Sequence, residues 1–274
     1  VSPYPRLNSG SFFSDTKAEE GHAKDNFPLK SKDGLVWKSR SAIPPPSLPG
    51  NQAATNESEL LISAGISWDY SFEKNYIEMS NNKVKCFDHT INTQYYFFTW
   101  FAIFLKRILL FSGFNKICSA FKKMQRPIKF KKFIKNNKVD FFSVGLGIGD
   151  ERYMSLKNVL NKFSENKKIF LKIDIEGEEY RLLNDLTKNS DLLSGLVIEF
   201  HYVDININKI ENFINNFNLE LVHIHINNAG PISDNKPSLL ELSFAKNPNN
   251  IGEFTNKKHD LDQPNIKNKE DFHI

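Results

Sequence analysis

The chain has 274 residues, 40% of them hydrophobic, which is enough apolar material for one sizeable core, and its formal net charge is only +4. Its two cysteines, Cys86 in a predicted core strand and Cys118 in a basic helical region, argue against a structural disulfide and fit a reducing compartment. The first residues lack the basic and apolar regions of a secretory signal, so we expect a cytoplasmic protein, with a location peripheral to a membrane as the alternative.

The sequence divides into three regions. Residues 1–57 form a polar extension that holds seven of the twelve prolines and shows neither a helical nor a strand period. Its one apolar patch, Leu35-Val36-Trp37, is interpreted as a tether packed on the surface. Residues 58–247 are the predicted folded domain, and residues 248–274 return to the polar composition of a surface tail.

From residue 58 onward, predicted strands alternate with predicted helices. The strands are 60–64, 83–87, 139–144, 168–174, 195–201, 219–226 and 238–245. The helices are 71–80, 155–164, 178–189 and 206–217, and a basic and aromatic insert occupies 92–137. This alternation predicts an α/β fold with a doubly wound, mostly parallel, Rossmann-like sheet of seven strands. Because no helix separates the last two strands, we expect them to form a C-terminal antiparallel hairpin.

Acidic residues collect where the predicted strands end. The run from Phe170 to Tyr180 leads an apolar strand directly into Asp174, Glu176 and a glycine. Strands that are covered on both faces place their charged groups at the mouth of the sheet. Glu199 and His201 end the next strand on one side of it, so the carboxylate could orient the imidazole. These four side chains, Asp174, Glu176, Glu199 and His201, are the predicted catalytic group.

A nucleotide-type site is predicted at the first strands. The strand at 60–64 runs into a turn at Gly65, and the next strand ends in Asp88. A tight backbone turn followed by an acid one strand later is typical of sites that bind a ribose. The third strand ends in the spaced glycines of Ser143–Asp150.

Taken in order, these segments resemble the FkbM-type S-adenosylmethionine-dependent methyltransferases. The resemblance covers roughly residues 58 to 246 and is carried by Ile62–Asp69, Val84–Thr90, Phe170–Tyr180, Leu196–His201 and Leu239–Phe244. It implies a class I methyltransferase fold, S-adenosylmethionine as cofactor, and O-methylation of a sugar, a glycan precursor or a secondary metabolite.

The resemblance implies that the cofactor lies at the first two strand ends. Gly65 would let the backbone approach the methionine part, and Asp88 would hold the ribose hydroxyls by a bidentate contact. The common pattern has an acid two residues before the first glycine, where this chain has Ser63, so Asp69 and Glu73 become candidates for holding the cofactor's ammonium group. The expected cofactor-binding residues are Ser63, Ala64, Gly65, Asp69, Glu73, Asp88, His89 and Gly145.

A hydroxyl acceptor must lose its proton, and a neutral histidine or an ionised aspartate can take it. We favour His201 over Asp174 for this role. A less favoured alternative is a divalent metal held by Asp174, Glu199 and His201, which would lower the pKa of the hydroxyl. Lys172 is expected to pair with Glu199 or Asp174. Three further polar side chains on the following strand have either a structural or a functional role: His223, His225 and Asn227.

The insert carries no acid between Ile91 and Val139 but eleven cations, so the rest of the chain has a net charge of −7, which is +4 minus 11. Its aromatic first part is interrupted by Lys106 and Arg107, which argues against a transmembrane helix. We expect a cap helix buried against the domain. The alternative is an element on a membrane surface, with anionic lipid or a phosphate-bearing acceptor as its partner. Nucleic acid is disfavoured because the aromatic residues precede most of the cations instead of alternating with them.

A rival function from another class is a non-catalytic binding or scaffold protein with the same fold. Ser63 in place of the acid favours it, together with the sparse glycines. The clustered carboxylates and His201 oppose it.

Overall fold

The computed structural model describes residues 46, 49–111, 113–165, 167–233, 236–248 and 266. The predicted tether at Leu35-Val36-Trp37 lies outside the described residues, as does most of the predicted tail. The seven helices in the described ranges are α1 (Pro49–Glu57), α2 (Ser71–Ser80), α3 (Thr93–Leu109), α4 (Phe114–Ile134), α5 (Leu156–Phe163), α6 (Leu183–Lys188) and α7 (Val203–Asn216).

The strands fall into one large sheet and two short pairs. The large sheet contains β1 (Leu60–Ala64), β2 (Lys83–Phe87), β3 (Val139–Phe142), β6 (Ile169–Ile173), β7 (Leu193–His201), β8 (Glu220–Ile226) and β11 (Leu239–Ala245). The short pairs are β4 (Gly145–Leu146) with β5 (Tyr153–Met154), and β9 (Ile232–Ser233) with β10 (Lys236–Pro237).

The strand order in the large sheet is β3-β2-β1-β6-β7-β11-β8. The neighbours among β3, β2, β1, β6 and β7 pair in parallel, whereas β11 pairs antiparallel with both β7 and β8. The prediction of a doubly wound, mostly parallel sheet with an antiparallel C-terminal end is therefore confirmed. One feature extends it, since β11 inserts between β7 and β8 and is not an edge strand.

The core lies on both faces of this sheet because parallel strands are covered on each side. Alternation along β1 sends Ile62 and Ala64 into the larger cluster, with residues of α5, α6 and α7, and Leu61 into the smaller one, with residues of α2 and α4. All three side chains are fully buried. Such burial keeps the strands apolar and leaves their carboxyl ends as the place for polar groups.

Helix α1 falls within the region that the sequence pattern describes as an extension. Its Ala53 and Ala54 are buried, and it packs against β7 and β11. The fit is close, because a Cβ added to Gly195 of β7 would lie 2.4 Å from the Cβ of Ala54. Small residues pack this helix against the sheet, and small residues give a weak hydrophobic period, so the sequence does not reveal it.

The predicted helix at 178–189 is interrupted in the structure. A 3₁₀ turn at Glu179–Arg181 precedes α6, which begins only at Leu183. The buried carboxylate of Glu179 turns back to accept hydrogen bonds from the backbone N–H groups of Ile175 and Gly177. This tight return replaces the first regular turn of the expected helix.

The basic insert forms an antiparallel helical hairpin from α3 and α4. In the part of the chain that the structure describes, α3 has no buried residue, so the expected cap helix buried against the domain is wrong. Only α4 enters the core, through Ala120, Pro127, Phe130 and Phe133. None of the helices in the described ranges has the length and apolar character needed to cross a bilayer.

Candidate functional site

The candidate site lies at the carboxyl ends of β1 and β6, where the strand order reverses. In open α/β sheets the crevice at such a switch point is where ligands bind. β1 ends in the turn at Gly65, which has a φ of +77°. β6 ends at Asp174, whose N–H donates to the carbonyl of Ala64 over 3.0 Å. The turn predicted to bind a cofactor and the acid predicted to serve an acceptor are therefore direct neighbours.

Gly65 is required at this turn for two separate reasons. Its positive φ is one that side-chain-bearing residues rarely adopt. In addition, a Cβ at this position would lie 1.5 Å from the carbonyl oxygen of Asp174. No side chain fits between the two strand ends, so the backbones of the turn and of Asp174 lie in direct contact.

Asp88, at the end of β2, organises the same turn. Its Oδ2 accepts from the N–H of Ser67 over 2.8 Å, and Ser67 is itself held at a φ of +50°. Its Oδ1 accepts from both the N–H and the hydroxyl of Thr90, at 2.7 and 2.6 Å. A carboxylate offers about four acceptor positions, so one remains on Oδ2. The structure thus leaves one acceptor position of this carboxylate for a further hydrogen-bond donor.

The glycines after β3 pack around the ring of Tyr153. A Cβ on Gly145 would lie 2.9 Å from that ring and 2.8 Å from Nδ1 of His89, and a Cβ on Gly149 would lie 2.7 Å from the ring. His89 and Tyr153 are tilted rings with centroids 4.9 Å apart. The glycine run after β3 therefore packs on an aromatic pair next to Asp88, and its member Tyr153 was not among the residues expected at this site.

The two acids expected to replace the missing one near Ser63 take different places. Glu73 is fully buried, accepts a 2.5 Å hydrogen bond from the Ser63 hydroxyl, and pairs with Lys172 over 3.0 Å. Lys172 thus pairs with an acid of α2 that the sequence analysis did not name as its partner, and the charge of Asp174 also acts on it. Asp69 accepts from the N–H of Ser71 at the start of α2. Glu73 is therefore a core ion-pair partner and offers a cofactor nothing directly.

The carboxylates around Lys172 offset the effect of burial on its pKa. Burial alone would lower the pKa of its ammonium group, but the carboxylates of Glu73 and Asp174 outweigh that effect and raise the pKa above its ordinary value. Lys172 therefore stays protonated inside the core. The Oε2 atom of Glu73 is buried and accepts no hydrogen bond from any residue that the structure describes.

His201 is positioned by Glu179 and not, as expected, by Glu199. Its Nδ1 lies 3.0 Å from Oε1 of Glu179, a fully buried carboxylate that also holds the backbone of the loop carrying Asp174 and Glu176. In the neutral tautomer whose Nδ1–H donates to Glu179, Nε2 presents a lone pair. The hydroxyl of Tyr180 donates to the carbonyl of His201 over 2.7 Å and fixes the backbone beneath the ring.

Charge around His201 favours its protonated form. Burial by itself would lower the pKa of this imidazole, but the hydrogen bond and charge of Glu179, together with the charges of Asp174 and Glu176, raise it above its ordinary value. The ring is thus a stronger base than a histidine in water.

Glu176 completes a small group of side chains that could bind a metal ion. It sits at a φ of +59° and its Oε2 lies 3.6 Å from Nε2 of His201. One ligand atom from each of Asp174, Glu176 and His201 lies within 4.8 Å of the other two. Two carboxylates and an imidazole could hold a divalent cation such as Mn²⁺ or Fe²⁺, and the contact from Glu179 to the far ring nitrogen is the kind that supports a metal-bound histidine.

Glu199 belongs to a separate buried network on β7, β8 and β11. Its Oε1 and Oε1 of Glu241 both accept from the side-chain amide of Asn227, at 2.7 and 3.1 Å. His225 contacts the other oxygen of Glu241 over 2.9 Å. Burial, with the carboxylates of Asp174 and Glu241, raises the pKa of Glu199 well above its usual value, against the lowering effect of Asn227. Glu199 therefore forms the inner wall of the site, beneath Asp174.

Two functional neighbours escaped the sequence analysis because their signals are weak. Glu179 is one of two adjacent acids, Glu178 and Glu179, of which only the latter is buried. Glu241 lies on a strand that reads as an ordinary apolar run, and the pairing register that sets it opposite Glu199 is a tertiary feature. A single charged residue inside an apolar strand was the available clue.

No protein-family model matches the chain, and no curated protein matches it in sequence. Solved structures with a similar course include the METTL16 MTase domain, with 6% identity, a TM-score of 0.37, and coverage of 70% of this chain and 61% of that one. Another is the precorrin-6y C5,15-methyltransferase of Geobacter metallireducens, with 10% identity, a TM-score of 0.35 and coverage of 69% and 80%.

A third similar structure is the fibrillarin pre-rRNA processing protein of Methanococcus jannaschii, with 7% identity, a TM-score of 0.34 and coverage of 70% and 68%. This chain spans less than two thirds of the METTL16 domain. At such scores the likeness assigns neither a substrate nor a reaction, and the chemistry has to be argued from the site itself.

Proposed function

We propose that this chain is an S-adenosylmethionine-dependent O-methyltransferase that acts on a hydroxyl of a sugar, a glycan precursor or a secondary metabolite. The observation that carries the proposal is the direct contact between the Gly65 turn and Asp174 at the switch point of the sheet. It joins a turn suited to a nucleoside cofactor to an acidic and imidazole group suited to a hydroxyl. The resemblance to the FkbM-type enzymes supplies the acceptor class.

The residues at the first two strand ends fit the cofactor. The Gly65 turn packs its backbone on the end of β6 where no side chain fits, and Asp88 keeps one acceptor position for a ribose hydroxyl. His89 and Tyr153 offer an aromatic surface next to that carboxylate. When bound, S-adenosylmethionine would supply an electrophilic methyl group on a positively charged sulfur.

His201 acts as the base in this proposal. Its Nε2 lone pair faces Glu176 and Asp174, while its Nδ1–H is fixed on Glu179. An acceptor hydroxyl that hydrogen bonds to Nε2 would give up its proton to the ring as its oxygen bonds to the methyl carbon, while the methyl–sulfur bond breaks and its electron pair stays on the sulfur of S-adenosylhomocysteine. The imidazolium formed is stabilised by the same three carboxylates. Most of the rate should come from holding the hydroxyl in line with the methyl group, and proton removal adds a smaller factor of about 10² to 10⁴.

Calorimetric titration with S-adenosylmethionine and S-adenosylhomocysteine tests the proposed cofactor. We expect micromolar binding to the wild-type chain and binding at least about tenfold weaker in Asp88→Asn, which keeps the size of the side chain but removes its charge. Asp191→Ala is the matched control, because that carboxylate is 91% exposed. Thermal unfolding of each variant separates lost binding from lost folding. Absence of binding to both compounds by the folded wild-type chain would overturn the proposal.

A non-catalytic protein with this fold is the second candidate, and the sequestered Glu73 favours it. The acid that might have held the cofactor's ammonium group is fully buried and committed to Lys172. The two functions separate in His201→Ala. Loss of S-adenosylhomocysteine formation over a panel of hydroxyl acceptors, with cofactor binding retained, supports the enzyme. Binding without product from any acceptor in the wild-type chain supports the scaffold.

A further inference from the structure

The hairpin of α3 and α4 exposes a continuous apolar surface. At its tip, Leu109, Leu110, Phe111 and Phe114 have exposed fractions of 75%, 63%, 92% and 79%. Single exposed apolar residues are normal on a protein surface, whereas a contiguous group of this kind marks an interaction site.

The apolar surface continues along both helices from the tip. On α3 the exposed residues recur every three or four positions, at Tyr95, Phe98, Phe101, Leu105 and Ile108. This spacing places them on one side of the helix. On α4, Phe121 and Ile128 follow Phe114 at intervals of seven residues and so share one side as well. This apolar stripe faces outward, whereas the apolar side of a helix that packs on the core faces inward.

The hairpin supports itself and is fixed to the domain only at its base. Arg107 donates to the carbonyl of Lys116 over 2.7 Å, and Phe104 packs on Phe121, so the two helices brace each other near the tip. At the base, Tyr96 packs on Trp68 with ring centroids 5.1 Å apart. Phe133 stacks on Tyr70 at 4.3 Å. Between these ends, α3 contributes no buried residue among those described.

The charge of the hairpin identifies the partner it fits. Eleven cations lie between Ile91 and Val139, nine on the hairpin and two directly after it, and no carboxylate accompanies them. Lys106 and Lys116 flank the apolar tip and are exposed. An apolar face next to an unbalanced basic one is the pattern of helices that lie in the interface of an anionic membrane. Near such a surface each Lys or Arg is attracted to the lipid head groups.

Other occupants satisfy these observations less well. A polyphosphate or RNA would meet the cations but would leave the apolar tip in water. A second copy of the chain would cover the apolar stripe but would bring two sets of eleven cations together, and like charges facing each other oppose association.

We propose that the α3–α4 hairpin is a membrane-binding element whose tip and α3 stripe enter the interface of a bilayer rich in anionic lipid. The tip reaches about 5 to 10 Å into the boundary between head groups and acyl chains, as interfacial helices do, and the cations contact the head groups. The proposal goes beyond methyl transfer and does not depend on it. It also gives the domain a way to act on an acceptor held at a membrane.

Co-sedimentation of the full chain with vesicles tests this inference. Vesicles containing phosphatidylglycerol and phosphatidylcholine are compared with vesicles of phosphatidylcholine alone, at low and high salt. We expect binding to the anionic vesicles, and at least tenfold weaker binding to the neutral ones and at high salt. The tip variant Leu110→Ser/Phe111→Ser/Phe114→Ser should weaken binding to anionic vesicles at least about tenfold. The matched control is Ile205→Ser, which removes a 79% exposed side chain of α7.

Charge is tested separately with Lys106→Gln/Lys116→Gln against the control Lys157→Gln/Lys188→Gln, which removes two exposed cations from other helices. The tip side chains are mostly in solvent, so circular dichroism should show an unchanged fold. Equal vesicle binding by the tip variant and the Ile205 control would overturn the proposal. The proposal would also be overturned if the wild-type chain failed to bind anionic vesicles but bound poly(U) RNA. The same holds if it failed to bind anionic vesicles and sedimentation velocity showed a dimer that the tip variant converts to a monomer.

Discussion

The backbone of Gly65 touches that of Asp174 so closely that a methyl group on the glycine would lie 1.5 Å from the aspartate's carbonyl oxygen. The contact couples two halves of the site that are more than a hundred residues apart in sequence. Any shift of the turn after β1 moves the carboxyl end of β6, and the loop with Glu176 follows it. The cofactor half and the acceptor half are therefore built as one unit.

Gly65→Ala should destabilise the fold and abolish cofactor binding together. The positive φ alone costs about 1 to 2 kcal/mol for alanine, and the clash with Asp174 adds to it. We expect a loss of more than about 2 kcal/mol in the free energy of unfolding, measured by urea denaturation. Gly113→Ala is the matched control, since Gly113 also has a positive φ of +68° but nothing lies within 4 Å of its added Cβ. Equal losses in the two variants would contradict the close contact.

The buried pair of Lys172 and Glu73 should cost more to break than to remove. Lys172→Met leaves the Glu73 carboxylate buried without its partner, a change worth about 3 to 5 kcal/mol in unfolding free energy. Glu73→Gln/Lys172→Met should lose less than the sum of the single changes. Lys74→Met is the control, because Lys74 forms an exposed pair with Glu78 on the same helix and should change stability by less than about 0.5 kcal/mol. Strict additivity in the double variant would argue against the pair.

The pH dependence of that pair follows from the direction of its pKa shift. The folded-state pKa of Lys172 is raised above its ordinary value of 10.5. Its contribution to stability is therefore fully present below that value and is lost as the pH rises through the higher folded-state pKa. Urea unfolding from neutral to strongly alkaline pH should show this loss in the wild-type chain and not in Lys172→Met.

The pH profile of turnover should report His201. A base must be deprotonated to work, and the pKa of His201 is raised by Glu179, Asp174 and Glu176, so we expect the acidic limb above the ordinary value of 6.5. Glu179→Gln should move that limb to lower pH, whereas Glu178→Gln, the exposed neighbour paired with Arg181, should leave it in place. An acidic limb that is identical in all three proteins would refute the assignment.

The raised pKa of His201 also predicts that its contribution to folding stability falls with rising pH, whereas turnover rises over the same range. Because the folded-state pKa of His201 is raised, its contribution to folding is present below pH 6.5 and is lost as the pH rises through the folded-state value.

Repeating the turnover profile with a chelator distinguishes a role of His201 as a base from a role as a metal ligand. Turnover that vanishes with the chelator and returns with Mn²⁺ would assign Asp174, Glu176 and His201 to a metal.

Local patterns were sufficient for the framework of the fold. The predicted strand at 60–64, helix at 71–80 and strand at 83–87 coincide with β1, α2 and β2. In these segments the apolar period, the glycine turn and the strand length all favour the same structure. The exposure of α3 was not predicted, because an apolar period normally indicates burial and here the apolar side of the helix faces outward.

The site was predictable in its location but not in its pairing. Strand ends rich in carboxylates predicted the edge of the sheet at which the structure brings Asp174, Glu176 and His201 together. The partner of Lys172 is 99 residues away on α2, and no local signal encodes that distance. The buried Glu179 and the exposed Glu178 are adjacent acids in the sequence, and only the tertiary turn of the chain distinguishes them.

The position of β11 between β7 and β8 has a consequence for how the chain is made. β8 has no hydrogen-bonded neighbour in the sheet other than β11, which is the last strand among the described residues. A nascent chain that has emerged only as far as β8 therefore carries an unpaired strand and an open edge on β7, both of which are templates for aggregation. At about 5 to 20 residues per second, that exposure lasts on the order of one to four seconds during translation. A protein shortened before residue 239 would keep both edges permanently and should be degraded or captured by a chaperone.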